Sequence, residues 1–188
     1  IARHLIWMMH FLEVHHRSED DGLYPVVRAR RPDAAAVLSA MADQHHAVQP
    51  AIAEVDAAAA VVVEGGDTAA LVAALGRLTE VLVPHLDREE HDVMPIVTAC
   101  MTHGKWRAIE QEHNLDGKSK TELGMEGHWL IDGASPADRA TVLGLVPPVP
   151  RFLLVHGVGP RYRRRARACW TPRRRVQRTG TTSVVAPA

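Results

Sequence analysis

Cysteine is nearly absent: Cys100 and Cys169 are the only two in 188 residues. Their wide separation suggests neither a disulfide framework nor a zinc knuckle, and a cytoplasmic location is expected. Aromatic residues make up 4% of the chain against 46% hydrophobic residues, so a core has to be built from aliphatic side chains. No uninterrupted apolar run of about eighteen residues occurs, and the N-terminus lacks the charged-then-apolar layout of a secretory signal. No membrane segment is expected. Strict two-residue alternation is missing from the Ala-, Val- and Leu-rich stretch Asp33 to Leu82, which argues for helices packed by apolar stripes rather than for a sheet.

Charge of one sign is also missing from one end. Residues 161–188 carry nine arginines and no acidic group, whereas residues 1–160 hold 13 basic and 22 acidic side chains. Such a basic run can meet phosphates. It carries few aromatics for base stacking and no recognition motif, so a solvated tail is expected and nucleic acid is not expected as a partner. The resulting division is a metal-binding bundle over 1–101, accessory helices packing on it over 102–160, and a basic, disordered tail over 161–188.

What the chain does have is a repeat. His15, Glu19, Pro25, Val26 and Val27 recur seventy positions later as His85, Glu89, Pro95, Ile96 and Val97. Residues four apart on an α-helix lie about 40° apart around the axis and roughly 6 Å apart along it, so imidazole and carboxylate of each pair point the same way. Two such pairs on facing helices supply a mixed nitrogen and oxygen set suited to iron, zinc or manganese. Between them lies His45, four residues after Met41 and three before Val48, on the stripe expected to face inward, with His46 turned about 100° away. Burying so many titratable groups without a cation would cost several kcal/mol, on the order of what unpaired buried charges cost.

These motifs resemble the hemerythrin-like, or HHE cation-binding, domains, particularly the longer actinobacterial type. His15-His16-Arg17-Ser18-Glu19-Asp20 with Leu23-Tyr24-Pro25 is similar to that family's second-helix signature, Met41 with Gln44-His45 to its third, and His85 with Glu89-Glu90 and Met94-Pro95 to its fourth. The resemblance implies an all-α, up-down helical bundle of the hemerythrin-like four-helix kind, lacking its first helix, with C-terminal accessory helices. It implies His15, His45 and His85 as terminal ligands of two non-haem irons, with Glu19 and Glu89 bridging them, although zinc or manganese would suit the same groups. The chain departs from the pattern in its missing first-helix histidine. His10 lies about 140° from His15 around the helix and His4 about 16 Å away along it, so neither replaces it. With Ile1 as first residue, a chain without its native start is expected.

Function follows in the same terms: a di-iron protein that binds or senses dioxygen, peroxide or nitric oxide, served by an unidentified electron donor. A peroxide-consuming, catalase-like enzyme and a non-catalytic metal-binding or helical interaction module are the alternatives. His16, His46, His91, His103, His113, His128 and His156 are taken as incidental, and Tyr24 as packing. Asp20 and Glu90 are surface charges or acceptors for ring nitrogens.

Element boundaries are expected at Ala2 to Ser18, continuing to Leu23 before Pro25, and from Pro32-Asp33 to about Glu64, stopped by Gly65-Gly66. Asp67 caps the helix that carries His85. Pro50 and Pro84 should kink their helices. Shorter helices are expected at Lys105 to His113, Lys118 to Ile131 and after Ser135-Pro136. A break follows at Pro147, Pro148 and Pro150, then an apolar piece Phe152 to Val158, with disorder from Thr171 onward.

Overall fold

The structure, a computed structural model, describes residues 1–146 and 148–170. The expected disorder from Thr171 onward and Pro147 lie outside the described residues; at Pro148 and Pro150, where a break is expected, the chain is instead helical over Pro148–Phe152. The chain is all-α, with no strand among the described residues. Helix α1 spans Ala2–Ser18, α2 Tyr24–Arg30, α3 Ala35–Val63, α4 Ala69–Arg88 and α5 Met94–Cys100. They are followed by α6 His103–Glu110, α7 Lys120–Leu130, α8 Pro136–Leu145, α9 Pro148–Phe152 and α10 Gly159–Trp170.

Three long helices carry apolar residues at alternating steps of three and four, the spacing that keeps one seam facing a neighbour. On α3 the buried seam is Leu38, Met41, His45, Val48, Ile52, Val55 and Ala59. On α1 the same spacing joins Ala2, Leu5, Met9, Leu12 and His16, then passes through Glu19 to Leu23. On α4 it joins Leu71, Leu75, Leu78, Leu82 and His85. α1 and α4 both pack on α3, which is therefore the central helix.

The three seams build two separate apolar clusters. Met9, Val48, Ile52, Val55, Leu71 and Leu78 belong to the first. Leu23, Tyr24, Val27, Leu38, Met41, Val93 and Val97 belong to the second. α1 and α4 thus run from the first cluster toward the second while α3 runs back, giving the up-down-up order. In all three seams the interruption between clusters is a histidine.

The two Pro-containing repeats have a structural counterpart that the sequence reading missed. Pro25 was expected to restrain α1, yet the helical path continues through a π-turn over Glu19–Leu23 into α2. The Tyr24 N–H donates to the Glu19 carbonyl, five residues back. The same turn recurs over Glu89–Val93, where the Met94 N–H donates to the Glu89 carbonyl. A proline lacks an N–H and its ring clashes with the carbonyl four residues earlier. Widening the preceding turn by one residue relieves both problems without ending the helix.

Other boundaries fall as the local chemistry dictates. Gly65 has φ 95°, the left-handed conformation that closes α3, and Gly66 N–H reaches back to the Val61 carbonyl at 2.9 Å. Asp67 does not cap α4 as expected: Thr68 is the N-cap residue, no side chain caps the helix, and Asp67 Oδ1 accepts only from the neighbouring Thr68 N–H at 2.7 Å. Ser119 and Glu122 form a capping box on α7, and the Ser135 hydroxyl accepts from Asp138 N–H on α8. Pro50 and Pro84 lie inside α3 and α4, which run on through them.

The accessory helices return to α1. Trp129 of α7 sets its ring edge-on to Trp7 and Phe11 at 5.4 and 5.0 Å, and Asn114 donates to the Ser18 hydroxyl at 3.0 Å. Residues 161–170, assigned above to a disordered tail, are instead helical within α10. Tyr162 holds them: it is buried, its hydroxyl donates to Asp132 at 2.8 Å, and its ring stacks on His128. On a windowed mean rather than an uninterrupted run, Pro32–Val63 and Ala69–Cys100 reach mean hydropathies of 1.3 and 1.4, high enough by length and composition to cross a membrane. Both segments contribute the bundle seams described here.

Candidate metal centre

At the level where the seams interrupt, His45 of α3 and His85 of α4 are 1% and 0% exposed, with ring centroids 4.9 Å apart. His16 of α1 joins them. It is 4% exposed, stacks on His45 at 4.3 Å with ring planes 12° apart, and meets His85 edge-on at 5.0 Å. One nitrogen from each of the three rings lies within 4.8 Å of the others. A second group, His15, Glu19 and Glu89, brings one ligand atom from each within the same distance.

Glu19 stands between the two groups. Its Oε1 is 3.5 Å from His15 Nε2 and its Oε2 is 3.4 Å from His45 Nε2. On the other side of the His45 ring, Nδ1 lies 2.9 Å from Asp20 Oδ1. These contacts are close enough for charge interaction but lie off the direction a hydrogen bond requires. Both ring nitrogens of His16, His45 and His85 are therefore buried without a hydrogen-bond partner, as are Glu19 Oε2, Asp20 Oδ1 and the Tyr24 hydroxyl. Buried polar atoms are normally paired, and each orphan costs about 1–3 kcal/mol.

The electrostatics carry the same message. Burial, followed by the neighbouring His45 and His85, pushes the His16 pKa down to about 3. Burial, followed by His45, pushes His85 down to about 4. Burial also works to lower His45, but the adjacent Glu19 and Asp20 together outweigh it and raise its pKa. Glu89 is raised by burial and then by the charge of Glu19. Neutral His16 and His85 rings with free lone pairs, and a His45 ring crowded by carboxylates, are what a bound dication would relieve. The residues fit a metal: nitrogen and carboxylate oxygen donors in this mixture suit iron, manganese or zinc.

The five residues singled out in sequence, His15, Glu19, His45, His85 and Glu89, are thus brought to one place. Two others were passed over. His16 is among the histidines that the sequence alone marks as incidental, and its counterpart in the repeat is Leu86. The signal that finds it is the α1 seam, since His16 stands seven residues after Met9 and three before Glu19. Tyr24, taken as packing, is buried in the second cluster, but it also stacks on His45 at 5.8 Å with its hydroxyl unpartnered. Its pKa is raised by burial and then by Glu19, Glu89 and Asp20, so the phenol keeps its proton.

A helical bundle with histidine and carboxylate side chains converging at mid-height is a metal-binding helical domain. Comparison with protein families identifies it further: the hemerythrin HHE cation-binding domain matches residues 1–97 of the 188, more than half of the chain, and the chain belongs to that family. No curated protein and no solved structure matches it.

Proposed function

We propose that the chain is a non-haem di-iron protein that binds or senses dioxygen, peroxide or nitric oxide. The observation that carries this reading is the position of Glu19, whose two carboxylate oxygens face different ligand groups. A carboxylate so placed would offer one oxygen to each of two ions. His15 and Glu89 would hold one side of the pair, His45 and His85 the other. When bound, the irons supply an open coordination position and ferrous–ferric electron exchange.

The chain's own groups set the conditions for that chemistry. Asp20 sits against Nδ1 of His45, which fixes the ring so that Nε2 is turned toward Glu19. The two apolar clusters above and below shield the His45 and His85 rings, while His15 stays open to solvent. The protonated Tyr24 hydroxyl can donate a hydrogen bond toward an incoming ligand.

Iron per chain and the absorption spectrum test the proposal. Metal-free protein given ferrous iron without oxygen, then air, should retain two irons per chain after desalting and gain near-ultraviolet charge-transfer bands. Zinc should bind and give no bands. Retention of no iron, or of iron without a bridged-pair spectrum, overturns the reading. Loss of added peroxide with evolution of oxygen would instead place the protein among peroxide-consuming enzymes.

A further inference from the structure

His16 is distinguished from the other histidines by what surrounds it. His128 is buried to the same degree, but its Nε2 lies 2.7 Å from the Leu154 carbonyl, the ordinary state of a structural histidine. His16 has neither ring nitrogen partnered. Its counterpart in the repeat, Leu86, is 45% exposed. The two halves of the repeat therefore reverse the usual pattern at this position, burying the polar side chain and exposing the apolar one. Such a reversal costs stability unless the buried nitrogens have a ligand.

We propose that His16 is a sixth metal ligand, which with His45 and His85 gives one divalent transition-metal ion three imidazole donors beside the shared Glu19. This rests on the reading of the cluster as a metal centre. The two ions then sit in unlike surroundings: one faces three imidazole nitrogens, the other His15 and Glu89, with Glu19 between them. The nitrogen site favours zinc, cobalt(II) or ferrous iron, while the oxygen-rich site suits harder ions such as ferric iron or manganese. A polar cavity of about 190 Å³ lies beside His16, lined also by Glu13, Arg17, Asp20, Asp21 and Gln49. Its three carboxylates, set against the single Arg17, favour a cation on that side of His16.

The test uses cobalt(II) as probe on the full chain. Titration of metal-free wild type should saturate at two ions per chain, with intense visible bands from the nitrogen site. His16→Leu, whose side chain suits the seam, should bind one ion fewer and lose most of that visible intensity. His46→Ala should behave as wild type. Two cobalt ions with an unchanged spectrum in folded His16→Leu would overturn the assignment while leaving the metal centre intact. Failure of the wild type to bind cobalt would overturn both. Should His16→Leu not fold, nitrogen-15 histidine spectra of zinc-loaded wild type decide the matter. Four rings, those of His15, His16, His45 and His85, should show metal-shifted nitrogens, and three without His16 would refute the proposal.

Discussion

Replacing His45 by leucine should stabilise the metal-free protein and abolish most of its response to metal. The side chain is 1% exposed in a seam whose neighbours are Met41 and Val48, and both its nitrogens lack hydrogen-bond partners. Removing an unpaired buried polar group recovers about 1–3 kcal/mol, and a leucine there buries more apolar surface, at roughly 25 cal/mol per Å². Against this stands the lost attraction to Glu19 and Asp20, whose facing oxygens are already without a hydrogen-bond partner and so lose no hydrogen bond in the variant. The balance favours the variant by about 2 kcal/mol, or on the order of 4–8 °C in Tm for a chain of this length. Metal reverses the order, since a ligand at a hundredfold excess over its Kd stabilises the native wild type by about 2.7 kcal/mol. Urea denaturation with chelator and then with zinc measures both numbers. A His45→Leu protein that is less stable than wild type under chelator, or that gains as much from zinc, refutes the reasoning.

Glu19→Ala should lower bound metal more than any other single replacement among the carboxylates, because it removes a group shared by both ligand sets; elemental analysis after desalting checks this. Gly22→Ala should destabilise by about 1–3 kcal/mol, since an added Cβ would sit 2.6 Å from the His113 ring and 3.0 Å from Ile109; thermal unfolding under chelator gives the value. Metal-free protein should lose stability as pH falls below 6.5. Unfolded His16 and His85 take up protons there, while the folded ones resist until about 3 and about 4, so the unfolded state binds more protons. His45, raised rather than lowered, offsets part of the loss only above pH 6.5. Urea midpoints between pH 7.5 and 5.5 should therefore fall, and a flat series would contradict the orphaned state of these rings. Tyr162→Phe should cost about 1 kcal/mol through the lost bond to Asp132 while leaving metal content unchanged.

How much could be foreseen differs from element to element. The ends of α3 followed from Pro32 and the glycine pair, because caps are local chemistry. His45 was placed correctly on its seam by counting from Met41 and Val48. His16 was missed because the repeat and the α1 seam disagree by one residue, and only packing against α3 decides which of two adjacent histidines turns inward. The π-turns at Glu19 and Glu89 were also missed, since a proline after four helical residues equally suits a helix end. Arg-rich α10 read as a tail because its fixing contact, Tyr162 with Asp132 and His128, joins segments thirty residues apart.

The histidine stratum has one more effect, on alignment. Seams with steps of three and four look alike after every seventh residue, so apolar helices of this kind can slide past one another by two turns with little penalty. Here a shift of α3 would carry His45 into the aliphatic layer of Met9 and Ile52 or into that of Leu38 and Val97. Only one offset of the three helices stacks all the imidazoles at a common height. The groups that receive the cation thereby act as the key that locks the helices in phase.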